Sequence, residues 1–244
     1  MKFNSLSLIW RNSAFTAFLL ARMAGMFATQ IQAVVIGWQV YALTNNAMSL
    51  AYVGLAQFIP MLILLLPAGD LIDRYARKKI LSLSLIIAAV CAGALWYLSA
   101  NIEGNANSLR GIYAVLVLFG CSRAFSGPSV QSLLPQIVPR EQLAQAIATN
   151  SVVMRAASIG GPLLGGILYG IGGGVLTYAV CAACFLLAIF CLIPVTTLYA
   201  EPRSTDAGSM FQRFNIGIKF IFSRPIIIGS ISLDLVAVLL GGVV

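Results

Sequence analysis

Histidine is missing altogether from the 244 residues, and Asp and Glu together number only seven. Without His the chain lacks the commonest metal ligand and general base. No nucleophile–base or metal constellation can be assembled from what remains, so we expect no catalytic residue, no metal site, no cofactor and no enzyme activity. Charged residues of either sign make up 9 % of the chain, against about a quarter in soluble domains. Cysteine is present but chemically quiet. All five lie in apolar runs, and Cys181-x-x-Cys184, although it has redox spacing, lacks polar neighbours to stabilise a thiolate. It reads as packing. The net charge of +8 does not point to nucleic acid, because the basic residues sit between apolar runs and are not gathered on one face.

What the chain does have is hydrocarbon. Sixty per cent of residues are hydrophobic and the mean hydropathy is +0.95. A helix that crosses a bilayer needs about 20 mostly apolar residues. Such runs fall near 13–43, 49–69, 80–100, 111–135, 143–170 and 175–198, and a seventh begins at Pro225. The short connections make neighbours antiparallel. Eleven of the fifteen Lys and Arg then lie on one side, Arg110 alone on the other, and Arg22, Arg123 and Arg155 within spans. This asymmetry places the N-terminus in the cytoplasm. Aromatic residues such as Trp38, Tyr41, Trp96, Tyr97 and Tyr178 fall near span ends, as interfacial belts do. The polar stretch Met1 to Arg11 leads into an apolar run too long for a signal-peptide core, with no convincing cleavage site, and is expected to stay in the mature protein.

Polar residues inside the spans are the candidates for function. At 100° per residue Arg22, Thr29, Gln32 and Gln39 share roughly one 100° arc of the first span. An Arg facing mid-bilayer lipid costs about 2.5–3.5 kcal/mol, so this stripe must face protein or water, either as a cavity wall or as interhelical glue. The fifth span carries Ser151, Arg155, Ser158 and Pro162 on one face. Asp234 is the one carboxylate within any predicted span. It either loads and releases a proton or forms a static ion pair with Arg22, Arg123 or Arg155.

Between the second and third runs lies Gly69-Asp70-Leu71-Ile72-Asp73-Arg74-Tyr75-Ala76-Arg77-Lys78-Lys79-Ile80-Leu81, with six of the chain's 22 charged residues in ten positions. This stretch resembles the loop between the second and third helices of the major facilitator superfamily of secondary transporters, G-x-L-a-D-R-x-G-R-[KR]-x-x-[LI]. Gly69, Leu71, Asp73, Arg74, Arg77, Lys78 and Leu81 match, and Ala76 replaces a Gly, which predicts a less sharp turn. The resemblance implies that the Asp and Arg residues tie helix ends together when the inner side is closed. In the fourth run, Arg123 and Gly127 are similar to the family signature l-x-x-x-R-x-x-q-G, with Ser126 in place of Gln, and the resemblance implies a part for Arg123 in proton coupling. Pro128 is expected to bend that helix. In the fifth, Gly161-Pro162-Leu163-Leu164-Gly165-Gly166 resembles the antiporter signature g-x-x-x-G-P-x-x-G-G, with Ala157 at its first glycine; a plain packing seam of small residues is the other reading.

The resemblance therefore implies an all-α integral membrane fold: the six-helix N-terminal half (1–198) of a twelve-helix transporter. A linker with an amphipathic helix (199–224) and the start of a seventh span (225–244) follow. The implied function is proton-coupled export of a small molecule by alternating access, in a bacterial inner membrane, close to the siderophore and drug exporter branch with its enterobactin-exporter-like members. An uptake permease of the same fold and a non-transporting fragment are the alternatives. With Arg22, Arg123 and Arg155 offset only by Asp234, the expected cargo is anionic or a neutral chelating metabolite.

Overall fold

A computed structural model describes residues 13–101 and 106–198, with Gly229, Ser232 and Leu233. The described residues contain helices and no strand: α1 Ser13–Thr44, α2 Met48–Arg74, α3 Arg77–Ala100, α4 Ala106–Ile137, a 3-10 turn Arg140–Gln142, and α5 Leu143–Leu192. Five helical stretches are long and apolar enough to cross a membrane, so the all-α membrane class holds. The chain divides into the units 1–203 and 204–244. The expected linker helix, Asp234 and all of the seventh span but Gly229, Ser232 and Leu233 lie outside the described residues.

Helix α5 is not one rod. Gly172 (φ −137°, ψ 16°) and Gly173 (φ 62°, ψ −159°) leave helical geometry, and the second is a conformation that a Cβ disfavours. The contacts on either side show a reversal. Ahead of the break, Gly161 packs on Gln30 and Gly165 on Ile31 and Val34 of α1. Beyond it, Tyr178 meets Gln39, Cys181 the carbonyl of Ala28, and Ala188 a position beside Gly25. The chain thus climbs α1 along 143–171 and descends it along 174–192. The sixth apolar run was expected to reach residue 198, but its helix stops at Leu192 because Pro194 cannot continue the ladder.

The other turns are short. Asn45 takes a left-handed φ of 48° after α1, and the side chain of Asn46 accepts a hydrogen bond from the first backbone N–H of α2 at 2.9 Å. Between α2 and α3 only Tyr75 and Ala76 intervene. Ala76 sits at φ −57°, ψ 112°, so this turn needs no glycine, and the family's Gly is dispensable here. Helix α4 runs on through Pro128 and Pro135.

Helix ends gather at two opposite poles. Tyr113 Oη donates to the carbonyl of Ser49 at 3.2 Å, and Gly174 lies against Ser99. At the other pole, Arg77 reaches the end of α4 and Lys78 the end of α5. That second pole holds Asp70, Asp73, Arg74, Lys79, Arg140 and Glu141 as well, while Arg110 lies at the first. The core between them includes Phe15, Phe18, Val35, Leu95, Leu116 and Tyr178, with Phe119 and Phe185 edge-to-face at 6.3 Å. Tyr178, expected in the interfacial belt, is wholly buried, and its hydroxyl is satisfied there by donating a hydrogen bond to Gln39 Oε1.

The outer faces are as apolar as the core. Helix α2 buries only Ser49, Val53, Ala68 and Ile72 and presents Phe58, Leu62 and Ile63 outward; 143–171 presents Ile159, Leu163 and Ile171. Water would not tolerate such continuous surface, and lipid does. Between helices in lipid, close approach has to come from small residues. A Cβ at Gly120 of α4 would overlap the Gln57 carbonyl of α2, whereas one at Gly93 meets nothing within 4 Å. Gly120→Ala should therefore lower the melting temperature of the detergent-solubilised chain, by the equivalent of about 1–3 kcal/mol for overpacking. Gly93→Ala should leave it level or raise it, because Ala gains up to about 1 kcal/mol over Gly in a helix.

Candidate functional site

The first half of the polar stripe on α1 meets α4 across a cavity of about 220 Å³. Arg22 and Thr29 line it from α1, Ser84 from α3, and Ser122, Arg123, Ser126 and Gly127 from α4; Phe18, Phe119, Phe185, Met26 and Met61 complete an apolar side. No Asp or Glu is among the described residues that line it. Among the described lining residues the two guanidiniums are thus the charges, Arg22 half-buried and Arg123 exposed, and an anion is the ligand they attract.

The hydroxyls of this wall are already committed. Thr29 donates to the Gly25 carbonyl at 2.8 Å, Ser84 to Leu81 at 2.9 Å, and Ser122 to the Ser84 carbonyl at 2.7 Å. Arg123 Nη1 points to Gln57 Oε1 on α2, at 3.5 Å. Arg22 is half-buried, and its Nε is enclosed with no hydrogen-bond partner among the described residues. Gln57 escaped the sequence reading, although a signal was there: it is the single polar side chain between Val53 and Gly69.

The rest of the α1 stripe does different work. Gln39 accepts the Tyr178 hydroxyl proton at 2.6 Å and so joins α1 to the descending arm of α5. Gln32 is fully enclosed, away from the cavity, and neither end of its amide is bonded among the described residues. The stripe is therefore cavity wall at Arg22 and Thr29, and glue at Gln39. Arg155, with Ser151 and Ser158, is exposed on α5 and does not line the cavity. Of the residues singled out in the spans, the structure brings together Arg22 and Arg123.

At the charged pole the loop basic residues cap helix ends. Arg77 Nη1 donates to the Ser132 carbonyl at 3.2 Å. Lys78 Nζ donates to the carbonyls of both Ile193 and Val195 at 2.7 Å, just past the C-terminus of α5, where orphan carbonyls and the helix dipole favour a cation. Arg74 pairs with Asp70 one turn earlier at 2.8 Å. Asp73 is exposed and bonded to no described residue, and a side chain at Gly69 would meet nothing within 4 Å. In the glycine-rich segment of α5, Gly161 and Gly165 are buried against α1, Pro162 is partly covered, and Gly166 faces open space.

A profile of the transmembrane secretion effector family, a branch of the major facilitator superfamily, matches residues 6–235. The chain belongs to this family. Among its curated relatives, the enterobactin exporter EntS of Salmonella typhi is 28% identical over 98% of this chain and 55% of its own length. The enterobactin exporters EntS of Shigella dysenteriae serotype 1 and of Escherichia coli O1:K1 / APEC are each 26% identical over 92% of this chain and 53% of theirs. The chain spans about half the length of the curated relatives it matches.

For a transmembrane secretion effector, the charged pole offers a sharp comparison between neighbours. Lys78 makes two charge-assisted bonds, whereas Lys79 beside it is exposed. Lys78→Met should destabilise the chain by about 1.5–3 kcal/mol, the range for hydrogen bonds to a charged group. Lys79→Met should stay within about 0.5 kcal/mol. Thermal unfolding in detergent measures both.

Proposed function

We propose that this chain is the N-terminal, six-crossing half of a twelve-helix exporter that moves a small anionic or chelating metabolite out of the cell by alternating access, driven by proton antiport. The observation that carries the reading is the cavity between Arg22 and Arg123 with no acid among its described lining residues, in a chain whose relatives include enterobactin exporters. In this reading 143–171 and 174–192 are separate crossings of the inner membrane, and the charged pole lies in the cytoplasm together with the N-terminus, as the positive-inside rule favours.

The exposed face of α5 supports a second half. Arg155 sits midway along 143–171 on the outer surface, and an Arg facing lipid at that depth is costly. A protein wall or a water-filled pathway beyond the described residues relieves the cost. Gly161, Pro162, Gly165 and Gly166 then serve as the packing seam that lets this crossing lean on α1. Asp73, which has no described partner, together with Arg74, Arg77, Lys78 and Gly69, forms the inner gate against helix ends of the other half. Asp234 is either the proton carrier or the ion-pair partner of an Arg, and Gln32 lies along the same pathway.

Two measurements test this. Cells lacking the intact gene should retain an anionic metabolite internally while their tolerance of cationic dyes barely changes; collapse of dye tolerance with normal anion release would refute the assignment of the cavity. In the full-length protein, Asp73→Asn should insert normally and cut efflux by about tenfold or more, in line with a gate interaction of a few kcal/mol, while Lys79→Gln does much less. Equal and mild effects of the two would remove the gate.

A further inference from the structure

We propose that Gln57 sets the charge selectivity of the Arg22–Arg123 cavity, keeping it open to a compact organic anion with an apolar body. The proposal rests on reading that cavity as the transport site. Position comes first. Gly120 lets α4 press so closely on α2 that a Cβ there would overlap the Gln57 carbonyl, and Arg123 follows one turn later on the same helix. The α2 backbone at Gln57 is thereby held under Arg123. The amide is oriented too, since Nε2 donates to the Val53 carbonyl at 3.4 Å, leaving Oε1 toward Arg123 Nη1 at 3.5 Å.

The chemistry follows from what an amide is. Its oxygen steadies a guanidinium through a dipole and leaves the full positive charge available; a carboxylate of the same shape would form an ion pair and cancel it. No Asp or Glu is among the described residues that line the cavity, and Gln57 acts on it through Arg123. The hydroxyl protons of Thr29, Ser84 and Ser122 are given to backbone carbonyls, so an incoming ligand meets their oxygens rather than their protons. Donors toward the ligand come from Arg123, Ser126 and Arg22, whose enclosed Nε has no partner among the described residues. Opposite them stand Phe18, Phe119 and Phe185. A cavity of about 220 Å³ falls below the roughly 300–1,000 Å³ of drug-sized sites. The occupant is therefore a ring-sized acid, or the acid-bearing end of a larger molecule.

The test is equilibrium binding to the purified 244-residue chain in lipid nanodiscs, by calorimetry, with 1-naphthoate and the size-matched 1-naphthylmethylammonium as probes. The wild-type chain should bind naphthoate and not the ammonium. Gln57→Glu should weaken naphthoate by about tenfold or more and admit the ammonium, while Gln57→Met, similar in length but uncharged, should hold naphthoate affinity within about threefold. Loss of affinity in Gln57→Met equal to that in Gln57→Glu would make the residue a spacer and overturn the proposal, as would unchanged selectivity in Gln57→Glu. Should Gln57→Glu fail to give a monodisperse chain, Gln57→Asp serves in its place: weakened naphthoate binding with entry of the ammonium supports the proposal and unchanged selectivity overturns it. Equal binding of both probes by wild type also overturns it. Failure of anion efflux in cells with probe selectivity intact would count against the exporter reading alone, and normal anion efflux with no naphthoate selectivity against Gln57 alone.

Discussion

The clasp of α1 by the two arms of α5 is the contact on which the rest of the structure depends. Lipid tails are as apolar as Leu, so burying one helix against another gains little by exclusion of water, and fit must supply the attraction. Fit here means small residues. Gly161 and Gly165 let the ascending arm touch the α1 backbone, while Gly25 and Ala28 receive Ala188 and Cys181 of the descending arm. The reversal at Gly172–Gly173 makes both contacts possible, and the Tyr178–Gln39 hydrogen bond at 2.6 Å fixes their register. Interhelical bonds of this kind contribute about 0.6–2 kcal/mol in a membrane. Helix α3 packs on α4 and α5, and α2 leans chiefly on α4, which explains why α2 exposes so much of its apolar surface.

The cavity is a consequence of that arrangement. Drawing α1 against α5 turns Arg22 and Thr29 toward α4, where Arg123 and the serines Ser122 and Ser126 wait. Two like charges then line one largely apolar cavity, Arg22 half-buried and Arg123 exposed, and a group of opposite sign relieves their repulsion. At the charged pole the same chemistry is satisfied in place: Lys78 and Arg77 spend their charge on the carbonyls that end α5 and α4. The contrast separates cations that hold the helices together from cations left facing a space. Gln32, Ser129 and Gln136 are likewise enclosed without a hydrogen-bond partner among the described residues, a cost that a water or a group outside them offsets.

By itself the sequence determined the solvent and the helices, but their ends only roughly. Helix α2 runs on to Arg74 where 69 was expected, and α3 begins at Arg77 where 80 was expected, so most of the expected loop is helical. Long apolar runs allow nothing but helices in a bilayer, because every backbone group must be satisfied within its own segment. Charge asymmetry and Pro or Gly punctuation mark where they stop; even the shortfall at Leu192 is written in Pro194. The stretches from Gly69 to Leu81 and from Gly161 to Gly166 stand out by local spacing, and of their residues Arg77 and Lys78 cap helix ends while Gly161 and Gly165 pack on α1. Which polar side chains meet was decided only by tertiary structure. One arc of α1 holds Arg22, Thr29, Gln32 and Gln39, yet the first two face a cavity, Gln39 accepts a hydrogen bond from Tyr178 and Gln32 is sealed away. Helical periodicity gives the direction of a side chain about its own axis, whereas the neighbour it finds depends on where other helices cross. Gln57 makes the point most plainly: a lone amide in an apolar run acquires its place beside Arg123 only because Gly120, 63 residues further on, lets α4 come close enough.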